Sequence, residues 1–275
     1  VSGGTYTLSS GDDGVHADSN VTISSGNIDI AKSYEGIEGL SIDITNGEIS
    51  VVASDDGMNA AGGNDSSGLE GPGPGGDQFA STEGAYIHIA GGVLHVNASG
   101  DGMDSNGDIA VSGGETYLTG PTNSGNGTLD YSGSAVVTGG VFAASGSSGM
   151  AQNFDSSSTQ GVMMVNVEEQ EANTDIVLLN SNGDEILSWT AEKEYSSVIV
   201  SSPDIKNGET YTIKAGTTEQ SITMDSLVYG NNSQGERFPG NGGEQGNRKE
   251  DGMQGKPEKR EKPGENSTSE GEIGL

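Results

Sequence analysis

Apolar and polar residues alternate in short runs through the first half of the chain, and a glycine interrupts each run at the same place. Align the runs on Gly26, Gly47, Gly92, Gly114 and Gly140. Five positions earlier stand Val21, Ile42, Ile87, Ile109 and Ala135; three earlier, Ile23, Ile44, Ile89, Val111 and Val137. Two positions later come Ile28, Ile49, Leu94, Thr116 and Phe142; four later, Ile30, Val51, Val96, Leu118 and Ala144. Between them fall mostly polar residues: Thr22, Asp43, His88 and Ala110, then Asp29, Ser50, His95 and Tyr117. A period of two buries one face of a strand and wets the other. The glycine between two such strands permits a sharp corner, through a positive φ or a close backbone approach.

A second recurring element precedes each pair of strands. Asp13-Gly14, Glu35-Gly36, Asp56-Gly57 and Asp101-Gly102 return, with Asn126-Gly127 as a softened fifth copy. Gly14 to Gly36 is 22 residues, Gly36 to Gly57 is 21, and Gly102 to Gly127 is 25. Gly57 to Gly102 is 45, about two periods or one period plus an insertion. After each pair comes Val15, Ile37, Met58, Met103 or Thr128, a third inward column. Each copy thus offers three short sides and cannot bury its apolar face alone, whereas stacked copies share a continuous core. The pattern predicts an all-β fold in which each copy is one coil of a parallel β-helix. An antiparallel sandwich competes, but it predicts hairpin turns and no columns that keep register.

Residues 60–84 are rich in Gly, Pro and Ser and read as a long excursion from a bend of the third coil. A sixth coil is expected near Gly149-Met150. From about 160 the pattern changes to six strands over 161–167, 174–179, 185–189, 196–202, 209–214 and 220–224, with Asn182-Gly183 and Asn207-Gly208 as turn signals. The expected organisation is a solenoid over 1–160, a small antiparallel β cap over 161–230 that covers the last coil's unpaired backbone, and a disordered tail over 231–275, poor in apolar residues.

Composition narrows the function. The chain has 275 residues, 47 of them glycine, no cysteine, and a formal net charge of −30. Before residue 231 the only cations are Lys32, Lys193, Lys206 and Lys214. Nucleic-acid affinity comes from Lys and Arg neutralising phosphates, so such a partner is excluded, and anionic membranes are disfavoured for the same reason. No run approaches a membrane span, no signal peptide is visible, and the opening at Val1 reads as a mature or trimmed chain. Absence of cysteine rules out a disulfide framework without fixing the compartment.

Two polar columns flank the inward one: Asp13, Glu35, Asp56, Asp101, Asn126, and, three residues on, His16, Glu38, Asn59, Asp104, Leu129. A partial third holds Asp12, Tyr34 and Asp55. Coils stack about 4.8 Å apart, where two carboxylates repel by roughly 3 kcal/mol at an effective dielectric of 20. A bridging cation relieves that cost. Calcium takes six to eight oxygen ligands in irregular geometry and suits the edge better than magnesium. Zinc lacks its usual ligands here: there is no Cys, and His16, His88 and His95 have no ligand spacing, with His88 and His95 at outward strand positions. Asp-Gly is also a common turn pair, so solvated turn acids remain the alternative.

The segments SGDDGVHADSNVTISSGNIDI, SYEGIEGLSIDITNGEISV and SDDGMNAAGG resemble bacterial carbohydrate-binding proteins that fold as right-handed parallel β-helices, a family related in fold to the family 9 polysaccharide lyases. The resemblance covers about residues 1–230. It implies secretion to the extracellular space or cell surface, Ca2+ along the helix, and affinity for plant cell-wall polysaccharides such as polygalacturonate (pectin) and cellulose; a monomer is expected. Carried over by position, the implied metal ligands are Asp12, Asp13, Glu35, Glu38, Asp55, Asp56, Asp101 and Asp104. The lyases of that fold use an Asp-Asp-x-x-Asp calcium motif and a lysine base. Here Asp12-Asp13 is followed by His16 and Asp55-Asp56 by Asn59, while Asp101-Gly-Met-Asp104 lacks the first acid.

Lys32 is the one candidate base before residue 193, and Glu35 and Glu38 nearby would raise its pKa, which opposes that role. No Ser-His-Asp arrangement or Arg clamp offers another route. The expectation is a binding protein, with a calcium-dependent pectate lyase using Lys32 as the alternative and an adhesive surface protein as a third. Cellulose would need stacking aromatics; Tyr34, Tyr86 and Tyr117 are the candidates, without an aligned strip.

Overall fold

The computed structural model describes residues 1–61 and 81–230. Most of the 60–84 excursion and the tail over 231–275 lie outside the described residues. In chain order the strands are β1 (Ser2–Ser9), β2 (Val15–His16), β3 (Asn20–Ile23), β4 (Ser25–Ser33), β5 (Ile37–Glu38), β6 (Ser41–Ile44) and β7 (Glu48–Ala53). Then come β8 (Met58–Ala60), β9 (Tyr86–Ala98), β10 (Met103–Ser105), β11 (Asp108–Thr119), β12 (Leu129–Tyr131), β13 (Ala135–Val137) and β14 (Val141–Gly146). The remainder are β15 (Val162–Gln170), β16 (Thr174–Leu179), β17 (Glu185–Ala191), β18 (Tyr195–Ser201), β19 (Thr210–Ala215), β20 (Thr218–Thr223) and β21 (Val228–Tyr229). Among the described residues there is no helix, hence none long and apolar enough to cross a membrane.

The first fourteen strands wind into a solenoid of about five coils, every contact between coils being parallel. One side stacks β3, β6, the first half of β9, the first half of β11, and β13. A second stacks β1, β4, β7, the rest of β9 and β11, and β14. The third stacks β2, β5, β8, β10 and β12. The register joins Val21, Ile42, Ile87, Ile109 and Ala135 in one column, as the alternation predicts. Ile28, Ile49, Leu94, Thr116 and Phe142 form another. Both columns are almost wholly buried, and both belong to one continuous core apart from Thr116. The five alignment glycines all have positive φ, from +77° at Gly114 to +124° at Gly47. Met58 pairs with Met103, so the 45-residue interval is one period plus an insertion within the third coil.

Two positions differ from the sequence alignment. Met103 pairs with Leu129, not Thr128, and Asp104 pairs with Asp130 rather than Leu129. The fifth coil's bend holds one more residue before its strand than the others, so the softened Asn126-Gly127 copy slips by one. Gly127, not Asn126, takes the rung above Asp101. The expected sixth coil is also incomplete. Residues 150–160 form no strand but lie across the fifth coil: Asp155 and Thr159 N–H donate to the Ala135 and Val137 carbonyls. Phe154 packs edge-on against Phe142, centroids 5.1 Å apart, and plugs that end of the core.

Seven strands follow the solenoid, and all but the two-residue β21, which pairs with β15, form two layers around a second core. β17-β16-β19-β20 is an antiparallel sheet, with positive φ at the turn residues Gly183 and Gly208. β18 and β15 form the other layer. β18 pairs antiparallel with β14, so the second side of the solenoid runs on into the cap. The backbone of β14, the last coil's second side, is thereby paired.

Candidate metal-binding edge

The third side is the shortest, two or three residues of strand between two bends, and glycines govern its spacing. A Cβ on Gly36 would lie 2.2 Å from Gly57 O and 2.3 Å from Val51 Cγ1. One on Gly57 would lie 2.3 Å from Val96 Cγ1 and 2.6 Å from Gly102 O. None of Gly14, Gly36, Gly57 and Gly102 has a positive φ. Space, not dihedral angle, requires them. With no room beside the glycine, the acid before it sets the chemistry of the edge.

Backbone hydrogen bonds hold those acids in step. Gly14, Gly36 and Gly57 N–H donate to the carbonyls of Glu35, Asp56 and Asp101, and Gly102 N–H donates to Gly127 O. The Asp12, Tyr34, Asp55 column is joined likewise, Tyr34 N–H to Asp12 O and Asp55 N–H to Tyr34 O. Side chains add rungs. Asp56 Oδ1 accepts from Asp101 N at 2.6 Å, Asp101 Oδ1 from Gly127 N, and Asp130 Oδ1 from Gln152 Nε2 at 2.8 Å.

Of the eight implied ligands, the structure gathers five into two clusters. In the first, oxygens of Asp13 and Glu38 and a ring nitrogen of His16 lie within 4.8 Å of one another; in the second, oxygens of Asp56, Asp101 and Asp104 do. Asp55 lies close enough to the second to raise the pKa of all three members. Glu35 is buried and accepts a hydrogen bond from Asn59 Nδ2 at 2.9 Å. Asp12 is exposed on the first rung, outside both clusters. Asp130, which the one-residue slip conceals in the sequence, stands beside Asp104.

The two clusters differ in charge balance. His16 hydrogen-bonds Glu38 Oε2, and its Nδ1 lies 3.3 Å from Asp13 Oδ2. The bond to Glu38 raises the imidazole's pKa against the effect of burial, so the first cluster holds a group that protonates more readily than an ordinary histidine. Among the described residues no ion pair reaches the second cluster. Burial first, then neighbouring negative charge, pushes Asp104 up to about 7. Burial takes Asp101 to about 7 as well, even though Gly127 N–H favours its ionised form. Asp56 is driven well above the ordinary range by burial and by Asp101, Asp104 and Asp55. Half-buried carboxyls held together without a counter-ion favour keeping protons or taking a cation. The donors are all hard oxygens, which fits calcium. Asp13 Oδ1 and Asn59 Oδ1 are buried along the same edge without a hydrogen-bond partner.

The remaining candidates sit elsewhere. Lys32 is exposed on β4 and makes no ion pair among the described residues. Tyr34 hydrogen-bonds Asp55, which with burial pushes the phenol up to about 12. Tyr117 lies stacked on His95, centroids 5.0 Å apart and planes 11° apart, so one ring face is covered. Tyr86 donates to Asp43. Lys193, distant in sequence, comes back to the third coil: its Nζ donates to Ala98 O at 2.6 Å, three residues before Asp101, and burial lowers its pKa. Both histidines stand at outward strand positions, as expected, but the expectation of no Ser-His-Asp arrangement is corrected. His95 is packed on Tyr117, and His88 stands between Asp43 and Ser112, a Ser-His-Asp grouping that the linear sequence conceals.

No known family model matches the chain, and no curated protein or solved structure does so either.

Proposed function

We propose that the protein binds calcium along its third side and, through that metal, holds acidic plant cell-wall polysaccharide outside the cell. The reading rests chiefly on the Asp56, Asp101, Asp104 cluster, whose oxygens converge within 4.8 Å with no ion pair to balance them among the described residues. Asp55 and Asp130 supply further carboxylates on adjoining positions, enough for the six to eight oxygens calcium takes once backbone or ligand oxygens join. Asp13, Glu38 and His16 form a second candidate position, in which the histidine ring already hydrogen-bonds Glu38.

A metal on the edge reconciles an acidic protein with an acidic polymer, since calcium bridges protein and uronate carboxylates. Polygalacturonate is favoured over cellulose: a neutral chain needs open aromatic faces, and Tyr117 has one face occupied while Tyr34 is tied to Asp55. Nothing in the placement of Lys32 favours a lyase. Retention on immobilised polygalacturonate in millimolar calcium, with release by EGTA, tests the proposal. Asp101→Asn combined with Asp104→Asn is expected to weaken retention at least tenfold, a loss of about 1.4 kcal/mol or more. Retention undiminished by both chelator and substitution would refute it.

A further inference from the structure

The first side of the solenoid, away from the acidic edge, carries an arrangement that calcium binding does not use. Stacking puts Asp43 of β6 beside His88 of β9, and Ala110 of β11 on the other flank of His88. Ser112 follows Ala110 by two positions, at a register irregularity of β11, and it is exposed. Ser112 Oγ is 2.9 Å from His88 Nε2. The other ring nitrogen, Nδ1, is 3.4 Å from Asp43 Oδ1. Tyr86 Oη donates to the second carboxylate oxygen, Oδ2, at 2.7 Å. That bond to Asp43 raises the phenol's pKa, so Tyr86 keeps its proton and anchors the carboxylate.

A hydroxyl, a histidine bridging it to a carboxylate, and a group fixing that carboxylate are the parts of an activated nucleophile. Such a constellation is identified by geometry and role, not by sequence order. An open cavity of about 440 Å³ adjoins it, lined by Asp43, Tyr86, Ile87, His88, Asp108 and Ala110. That is room for a small ligand. Gly113 and Gly114 follow the serine and place no side chain in the path of an approaching acyl group.

We infer that Ser112, His88 and Asp43 form an acyl-transfer site that hydrolyses short-chain carboxylic esters. Ser112 Oγ attacks the ester carbonyl carbon while its proton passes to His88 Nε2. The bond from that carbon to the alcohol oxygen breaks, and His88 returns the proton to the departing oxygen. Water then attacks the acyl-serine, gives its proton to His88, and releases the acid as Ser112 recovers its own. Asp43 is a positioning residue: it holds the imidazole with its Nδ1 proton toward the carboxylate and Nε2 toward Ser112. Tyr86 restrains Asp43 in turn.

The test uses the folded chain in EGTA with p-nitrophenyl acetate as substrate, and a fluorophosphonate as a covalent probe followed by peptide mass mapping. The expected result is one adduct, on Ser112. Ser112→Ala and His88→Gln are each expected to lower turnover about a hundredfold. Asp43→Asn is expected to lower kcat at least tenfold with KM unchanged, and Asp43→Glu to restore part of it. Ser112 is exposed, so its alanine variant should keep the parent's melting temperature; Ser112→Cys, which retains a nucleophile, supplies an independent check by acquiring the acyl group. Turnover equal in the parent and Ser112→Ala, or an adduct at any other residue, overturns the inference. Because EGTA is present throughout, the outcome is independent of the calcium edge.

Discussion

Gly57→Ala is expected to lower the melting temperature by roughly 6–12 °C, from a loss of about 3 kcal/mol in a folded unit of this size. The added methyl would stand 2.3 Å from Val96 Cγ1 and 2.6 Å from Gly102 O. The first neighbour is a β-branched side chain held in a packed core, and the second is backbone bonded to the next coil, Met58 N–H donating to Gly102 O. Neither can retreat without opening the stack. Gly36→Ala meets Gly57 O at 2.2 Å and should be at least as costly. Gly11→Ala is the control, since its Cβ would meet nothing within 4 Å and its φ is ordinary. Thermal unfolding followed by circular dichroism measures all three, and equal melting temperatures would show that the coils are less tightly spaced than described.

Calcium is expected to raise the melting temperature by roughly 5–10 °C at pH 7 when its concentration is a hundred times the dissociation constant, equivalent to about 2.7 kcal/mol. The effect should fade as the pH falls toward 4. Asp101 and Asp104 titrate near 7 in the folded, metal-free chain against 3.8 for an unperturbed carboxyl. Between those values the folded state holds protons that the unfolded state has released. Metal-free stability from these groups is therefore intact below about pH 4 and is lost as the pH rises through 7. Calcium binds the ionised carboxylates, so it offsets the loss where the loss is greatest. Asp101→Asn with Asp104→Asn should flatten the metal-free slope and remove most of the calcium response. Differential scanning calorimetry from pH 4 to 8, with and without EGTA, reads both effects. A metal-free protein that grows more stable from pH 4 to 7 would contradict the account.

The coil pattern was open to reading because two independent rules, period-two alternation and a glycine at each corner, had to agree in every copy. Val21, Ile42, Ile87 and Ile109 satisfy both, and their register followed. The fifth bend obeyed neither rule strictly. Thr128 and Leu129 both suit an inward position well enough, and only the backbone bonds of Met103 decide between them. Asp130 was missed for that reason. The acidic columns could be foreseen, but not their division into a cluster that includes His16 and one made of acids alone. That division depends on side-chain reach, which spacing does not encode. Asp43, His88 and Ser112 were hidden more deeply. They project outward, where alternation allows any polar residue, and an insertion separates the first from the other two. Lys193 illustrates the same difficulty from the cap, whose folding back onto the third coil has no local signature.

The reversal of strand direction between β14 and β18 has a bearing on assembly. A β-solenoid can in principle lengthen without limit, each terminal rung serving as a template for another molecule's. Here the chain's own returning strand fills that position on the second side, in the orientation a fresh coil could not adopt. At this end the protein forecloses its growth into fibres.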